Sequence, residues 1–176
     1  MRKKWKDSAG LTLVETLCAV LILVLLSLLL NAGLNMAVKS YRDLTAASET
    51  QLLLNSLTNA IAAELRYAHE VRGNADPTYN GDCQITLDHG GHVCAGGRGL
   101  LPGEKNGAGG AYHGGKYSAA PIAAGIPIVQ YENGCFTVNL KVVWNDHPIS
   151  ARTPEGGVVI RCLNPPGEAE EGGEAP

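Results

Sequence analysis

The sequence predicts an α+β fold in which one long N-terminal helix, membrane-seeking over its first half, packs by its second half on a small antiparallel sheet of about four strands. Three observations predict it. Residues 16–30, TLCAVLILVLLSLLL, form an apolar run without a charge. Apolar residues then continue at helical spacing with neither Pro nor Gly from Asn35 to Arg72. Finally, IPIVQYENGCFTVNLKVVW alternates apolar and polar residues on both sides of Asn133-Gly134. These divide the chain into a leader over residues 1–10, a transmembrane half-helix over 11–34, an amphipathic half-helix over 35–73, a sheet domain over 74–164 and a tail over 165–176.

Arg2, Lys3, Lys4 and Lys6 crowd ahead of the apolar run. Clustered bases resist translocation, so the helix is expected to cross a membrane once with its N-terminus in the cytoplasm and everything after about residue 35 outside. The whole chain carries 14 Lys and Arg against 17 Asp and Glu, and without its leader it is clearly acidic. That balance argues against a sequence-independent hold on nucleic acid, which depends on basic residues displacing counterions.

A secretory signal places its small-residue cleavage site after the apolar run. Here Ala9 and Gly10 come before it, and the run extended to Leu34 approaches the length needed to span a bilayer. One acid, Glu15, stands among the apolar residues Leu11, Leu13, Val14 and Leu17 at the head of this segment. A charged side chain at bilayer depth costs about 2.5–3.5 kcal/mol, less near the interface, and so seeks a partner. No base on the same helix is within reach, Lys39 being many turns away, which points to a positive group from another chain. The plainer account is a signal anchor whose Glu15 snorkels to the headgroups.

The string KKWKDSAG-LTLVETL, within residues 3–34, resembles the prepilin leader shared by type IV pilins and by the pseudopilins of type II secretion and competence systems. The resemblance implies that a prepilin peptidase/methyltransferase cuts after Gly10 and N-methylates Leu11. It implies that Glu15, the fifth mature residue, pairs with the terminal amino group of a neighbouring subunit during assembly. The implied partners are other pilin or pseudopilin subunits, an inner-membrane assembly platform and, before assembly, membrane lipid. The implied destination is a surface filament. Two departures bear on rank within the family: Leu11 stands where Phe is preferred, and no helix-kinking Pro lies in the apolar half. The second favours a minor pilin or pseudopilin over a filament's bulk subunit.

Beyond the membrane half, Met36, Tyr41, Leu44, Leu54, Leu57, Ile61, Leu65 and Ala68 make an apolar stripe while Lys39, Arg42, Glu49 and Glu64 point elsewhere. Thr45, Ser48 and Gln51 break any sustained heptad, so packing on a sheet fits better than a coiled coil. Gly73, Asn74 and Asp76-Pro77 make a stop signal, giving one helix of about 60 residues.

Asn133-Gly134 is the pair favoured in a type I′ hairpin turn, which sets Tyr131 opposite Phe136 and Val129 opposite Val138. Phe136, Val138, Leu140, Val142 and Trp144 then share the face turned to the helix, and Thr137, Asn139 and Lys141 the other. Residues 84–87 and 158–163 supply two further strands. Residues 95–125 are glycine-rich and aperiodic, and read as a long surface loop available for display. The tail GEAEEGGEAP is acidic, nearly free of large apolar residues and expected to be solvated and disordered.

Enzyme and cofactor signatures are missing: Gly114-Gly115-Lys116 is followed by Tyr117 rather than completing a phosphate loop, and Gly97-Arg98-Gly99 lacks the third glycine of a dinucleotide fingerprint. His69-Glu70 has no second His one turn on. No cofactor is therefore expected and the chain reads as a structural subunit, not an enzyme. Cys83, Cys94, Cys135 and Cys162 all fall in the outside portion and are the candidates for two disulfides, with three connectivities open. Cys83, His89, His92 and Cys94 could in principle ligate zinc, which would suit the rival reading of a signal-anchored, metal-dependent binding domain. Their spacing matches no standard finger, and Asp88-His89-Gly90-Gly91-His92 reads more simply as a turn with both histidines in solvent.

Overall fold

The computed structural model describes residues 12–101, 112–145 and 147–163, which divide into two units, Met1–Asp43 and Leu44–Pro176. The leader, Leu11, residues 102–111 of the glycine-rich stretch and the acidic tail lie outside the described residues. One helix, α1 (Leu13–Arg66), belongs to both units. The fold is α+β, as predicted: a long N-terminal helix packed against antiparallel sheets.

Within the first unit every large apolar side chain from Leu13 to Val38 is exposed, Leu13 at 81 % and Leu30 at 66 %. Within the second unit α1 buries Ala46, Thr50, Leu53, Leu54, Leu57, Ile61 and Leu65, a stripe advancing by three and four residues. The Thr50 hydroxyl donates to the Ala46 carbonyl at 2.8 Å, which satisfies a polar side chain buried in that stripe.

The helix stops at Arg66, short of the expected Gly73, because the following residues find better partners. Arg72 and Thr78 exchange backbone hydrogen bonds at 2.8 and 3.0 Å, and His69 N donates to the Asn80 side chain at 2.8 Å. The last carbonyls are taken from outside the helix: Leu163 N donates to Arg66 O at 2.9 Å and the buried Cys162 thiol to Ala68 O at 3.1 Å. Tertiary pairing thus ends the helix before the glycine that could have done so.

Ten strands follow among the described residues: β1 (Thr78–Tyr79), β2 (Cys83–Leu87), β3 (Val93–Ala95), β4 (Arg98–Gly99), β5 (Tyr117–Pro121), β6 (Val129–Glu132), β7 (Cys135–Val138), β8 (Leu140–Trp144), β9 (Ser150–Arg152) and β10 (Val158–Arg161). They build a four-stranded meander β1-β2-β3-β4 and two three-stranded sheets, β10-β7-β6 and β5-β8-β9. The stretch read as a long loop therefore carries β4 and β5.

The β6–β7 hairpin has the predicted register, Tyr131 opposite Phe136 and Val129 opposite Val138. Asn133 and Gly134 have φ of 51° and 76°, as a type I′ turn demands. The single strand expected through residue 144 is instead two. At Asn139 the chain passes from β7, between β6 and β10, to β8, between β5 and β9. Asn139 is buried rather than outward and donates its N–H to Ile128 O at 2.8 Å. Alternation survives the crossing, so Phe136, Val138, Leu140 and Val142 all enter one core with Leu57, Ile61 and Leu65. Gly157 (φ 74°) permits the close approach there, since a Cβ would lie 2.5 Å from the Thr137 methyl and 2.9 Å from Val138 O.

Candidate functional site

Gly10 and Leu11, and the basic residues Arg2, Lys3, Lys4 and Lys6, lie outside the described residues. Glu15 is placed. It occupies the third position of α1, whose N-cap is Thr12: Glu15 N donates to Thr12 Oγ1 at 3.3 Å and to Thr12 O at 2.9 Å. Thr12-x-x-Glu15 is thus a capping-box sequence, a signal legible in the chain and missed by reading Glu15 only as a charge in an apolar run. The acid also meets the positive end of the helix dipole. Its side chain is exposed.

Downstream of Glu15, α1 is long and apolar enough to cross a membrane, and none of its most apolar window is buried within the protein. An apolar surface of that extent requires lipid or another protein to cover it.

All five cysteines are free thiols rather than the two disulfides expected of the outer four. Strand register explains the nearest cases. Cys94 lies opposite Thr86, whereas Cys83 shares the face of Ile85 and Ala95, so the two project from opposite sides of the β2–β3 ladder. Cys135 lies opposite Arg161, and Cys162, one residue on, turns to the other face.

The Cys83, His89, His92 and Cys94 set does not gather: no group of His, Cys, Asp or Glu fit to hold a metal ion occurs among the described residues. His89 is exposed beside Asp88, but His92 is 6 % exposed and packs edge-on to Tyr112, correcting its expected solvent position. The turn is also wider than two residues. Asp88 N donates to His92 O, Gly91 N donates to Asp88 O, and Gly91 O accepts from Ala119 N at 2.9 Å, which seats the turn on β5 and sets Leu87 opposite Val93.

One polar arrangement had no sequence signal, its partners being 68 residues apart. The Tyr117 phenol, on β5, donates to Glu49 Oε2 on α1 at 2.5 Å. Its ring is flanked by His113 and Trp144, at centroid distances of 5.6 and 5.9 Å. Burial first, then the Glu49 hydrogen bond and charge, push the Tyr117 phenol up to about 12. The raised value favours the folded state fully below pH 10, where the unfolded phenol is still neutral, and that contribution fades as pH rises through 12. Denaturation midpoints are accordingly expected to fall between pH 10 and 12. Tyr117→Phe should shallow the fall without abolishing it, because burial also raises Tyr79, Tyr112 and Tyr131. An unchanged slope in that variant would remove Tyr117 from the account.

No protein-family model, curated protein or solved structure matches the chain. The fold defines the chain only as an α+β protein with, among the described residues, one N-terminal helix apolar enough to cross a membrane.

Proposed function

We propose that the chain is a prepilin-like subunit, cut between Gly10 and Leu11 and N-methylated on Leu11, that joins a type IV pilus or a related pseudopilus as a minor component. The observation that carries this reading is the exposed apolar stretch of α1 from Leu13 to Val38 with a single acid, Glu15, in its first turn. The Gly10-Leu11-Thr12-Leu13-Val14-Glu15 string behind a basic leader supports it. The subunit first sits in the inner membrane, crossing once with its sheets on the outer side. Assembly then moves the apolar helix from lipid into a bundle of like helices, where Glu15 meets a neighbour's terminal amine, while the sheets decorate the outside. Its partners are the peptidase/methyltransferase, other subunits and an assembly platform. Its work is structural, not catalytic.

The capped helix start favours one rival, a signal anchor in which Glu15 serves only the cap. Mass spectrometry of the membrane-extracted protein separates them: the assembly reading expects a mature chain beginning at methylated Leu11. A chain that keeps Met1 through Gly10 sinks that reading.

A further inference from the structure

Beside Tyr117 and Glu49 lies an open cavity of about 450 Å³, lined by Glu49, Leu52, Leu53, Ser56, Leu101, Tyr112 and His113. Four of these sit at helical spacing on one flank of α1. Leu101 and Tyr112 face them from the sheet side, Tyr112 held there because its hydroxyl accepts from Val93 N at 3.0 Å. Such a volume is in the range of ligand sites, and its walls are mainly apolar with one fixed charge.

Among the described residues that charge has no countercharge. Glu49 is half-buried, and among the described residues no lysine or arginine forms an ion pair with it. Among the described residues its hydrogen-bond partner is the neutral Tyr117 phenol, itself 1 % exposed, which fixes Oε2 and leaves Oε1 open to a ligand. A carboxylate partly withdrawn from water and not neutralised attracts a cation. Apolar walls around it select one with an aliphatic body. A single open oxygen suits a compact ammonium better than a guanidinium, whose fork needs both oxygens. The cavity is larger than one lysine side chain and is rimmed by Leu52, 63 % exposed, so it can take the adjoining peptide as well.

We propose that this cavity binds a lysine side chain presented by a partner protein, the ammonium meeting Glu49 and the methylene stem lying against Leu52, Leu53, Leu101 and the Tyr112 ring. The site lies wholly within the Leu44–Pro176 unit and does not depend on the chain entering a filament.

The test titrates the full chain in detergent micelles, with leucine methyls isotope-labelled, against three probes: an acetyl-Gly-Lys-Gly amide, the same peptide with norleucine for lysine, and n-pentylammonium. The lysine peptide should shift the Leu52, Leu53 and Leu101 methyl signals saturably and the norleucine peptide should not. Glu49→Gln should weaken binding tenfold or more. Tyr117→Phe, which keeps the charge but frees its orientation, should weaken it several-fold. If Glu49→Gln does not fold, Ser56→Lys, on an exposed helix position, should block the site with a tethered ammonium. No saturable shift, equal response to norleucine, or undiminished binding by the folded variants overturns the proposal. Binding of pentylammonium as tight as the peptide also overturns it, by assigning the site to free amines.

Discussion

Glu15→Gln is expected to leave the helix intact and to abolish entry into filaments. The two parts separate because Glu15 sits where two roles overlap. As the third residue of α1 it takes the last place of the Thr12-x-x-Glu15 capping-box sequence, a place that glutamine fills nearly as well as glutamate. As a charge at the head of an apolar helix it is proposed to meet a neighbour's amine, which a neutral amide does not attract. Glu15→Ala removes both, and Thr12→Ala removes only the cap, at a cost of about 0.5–2 kcal/mol in helix stability. Three variants therefore resolve what one leaves confounded. Helicity in micelles and the fraction of protein recovered in sheared filaments are the two readouts. Filament recovery by Glu15→Gln at the unsubstituted level would refute the charge-pairing role, and recovery lost with both Thr12→Ala and Glu15→Ala but kept with Glu15→Gln would assign Glu15 to the cap.

The overlap also shows where the sequence was and was not readable. The apolar run, the buried stripe from Leu54 through Leu57, Ile61 and Leu65 to Ala68, and the Asn133-Gly134 register follow from local periodicity and turn chemistry, and the structure agrees with each, whereas Met36, Tyr41 and Leu44, expected in the same stripe, are exposed. The errors share one cause, namely long-range pairing overriding local preference. Residues 67–72 hold no helix breaker, yet Cys162, Thr78 and Asn80 draw their backbone into other bonds. Phe136 to Trp144 alternates as one strand should, and period alone does not reveal that Asn139 hands the chain from one sheet to another. His92 was set in solvent because it follows two glycines, but Gly91 docks on Ala119 and carries the histidine inward. The Tyr117 and Glu49 pair, joining β5 to α1, was beyond any local signal.

Leu57→Ala should lower the stability of the Leu44–Pro176 unit by about 2–5 kcal/mol, the range for emptying a buried leucine site. Helix propensity does not enter, since alanine is the better helix former. The loss comes from the core: Leu57 is fully buried in the stripe that meets Phe136, Val138 and Leu140, side chains contributed from both sides of the Asn139 crossing. Leu44→Ala gives the control. Leu44 lies on the same helix but is 71 % exposed, so the same atoms removed there should change stability by no more than about 0.5 kcal/mol. Denaturant midpoints followed by near-ultraviolet circular dichroism report the difference; equal effects at the two positions would mean that α1 does not hold the sheets together. Because the proposed cut between Gly10 and Leu11 falls outside the Leu44–Pro176 unit, Leu57→Ala should still be processed and methylated while its sheet unit is destabilised. Glu15→Gln should show the reverse, a folded unit that never assembles, so that the two substitutions divide folding from assembly on a single helix.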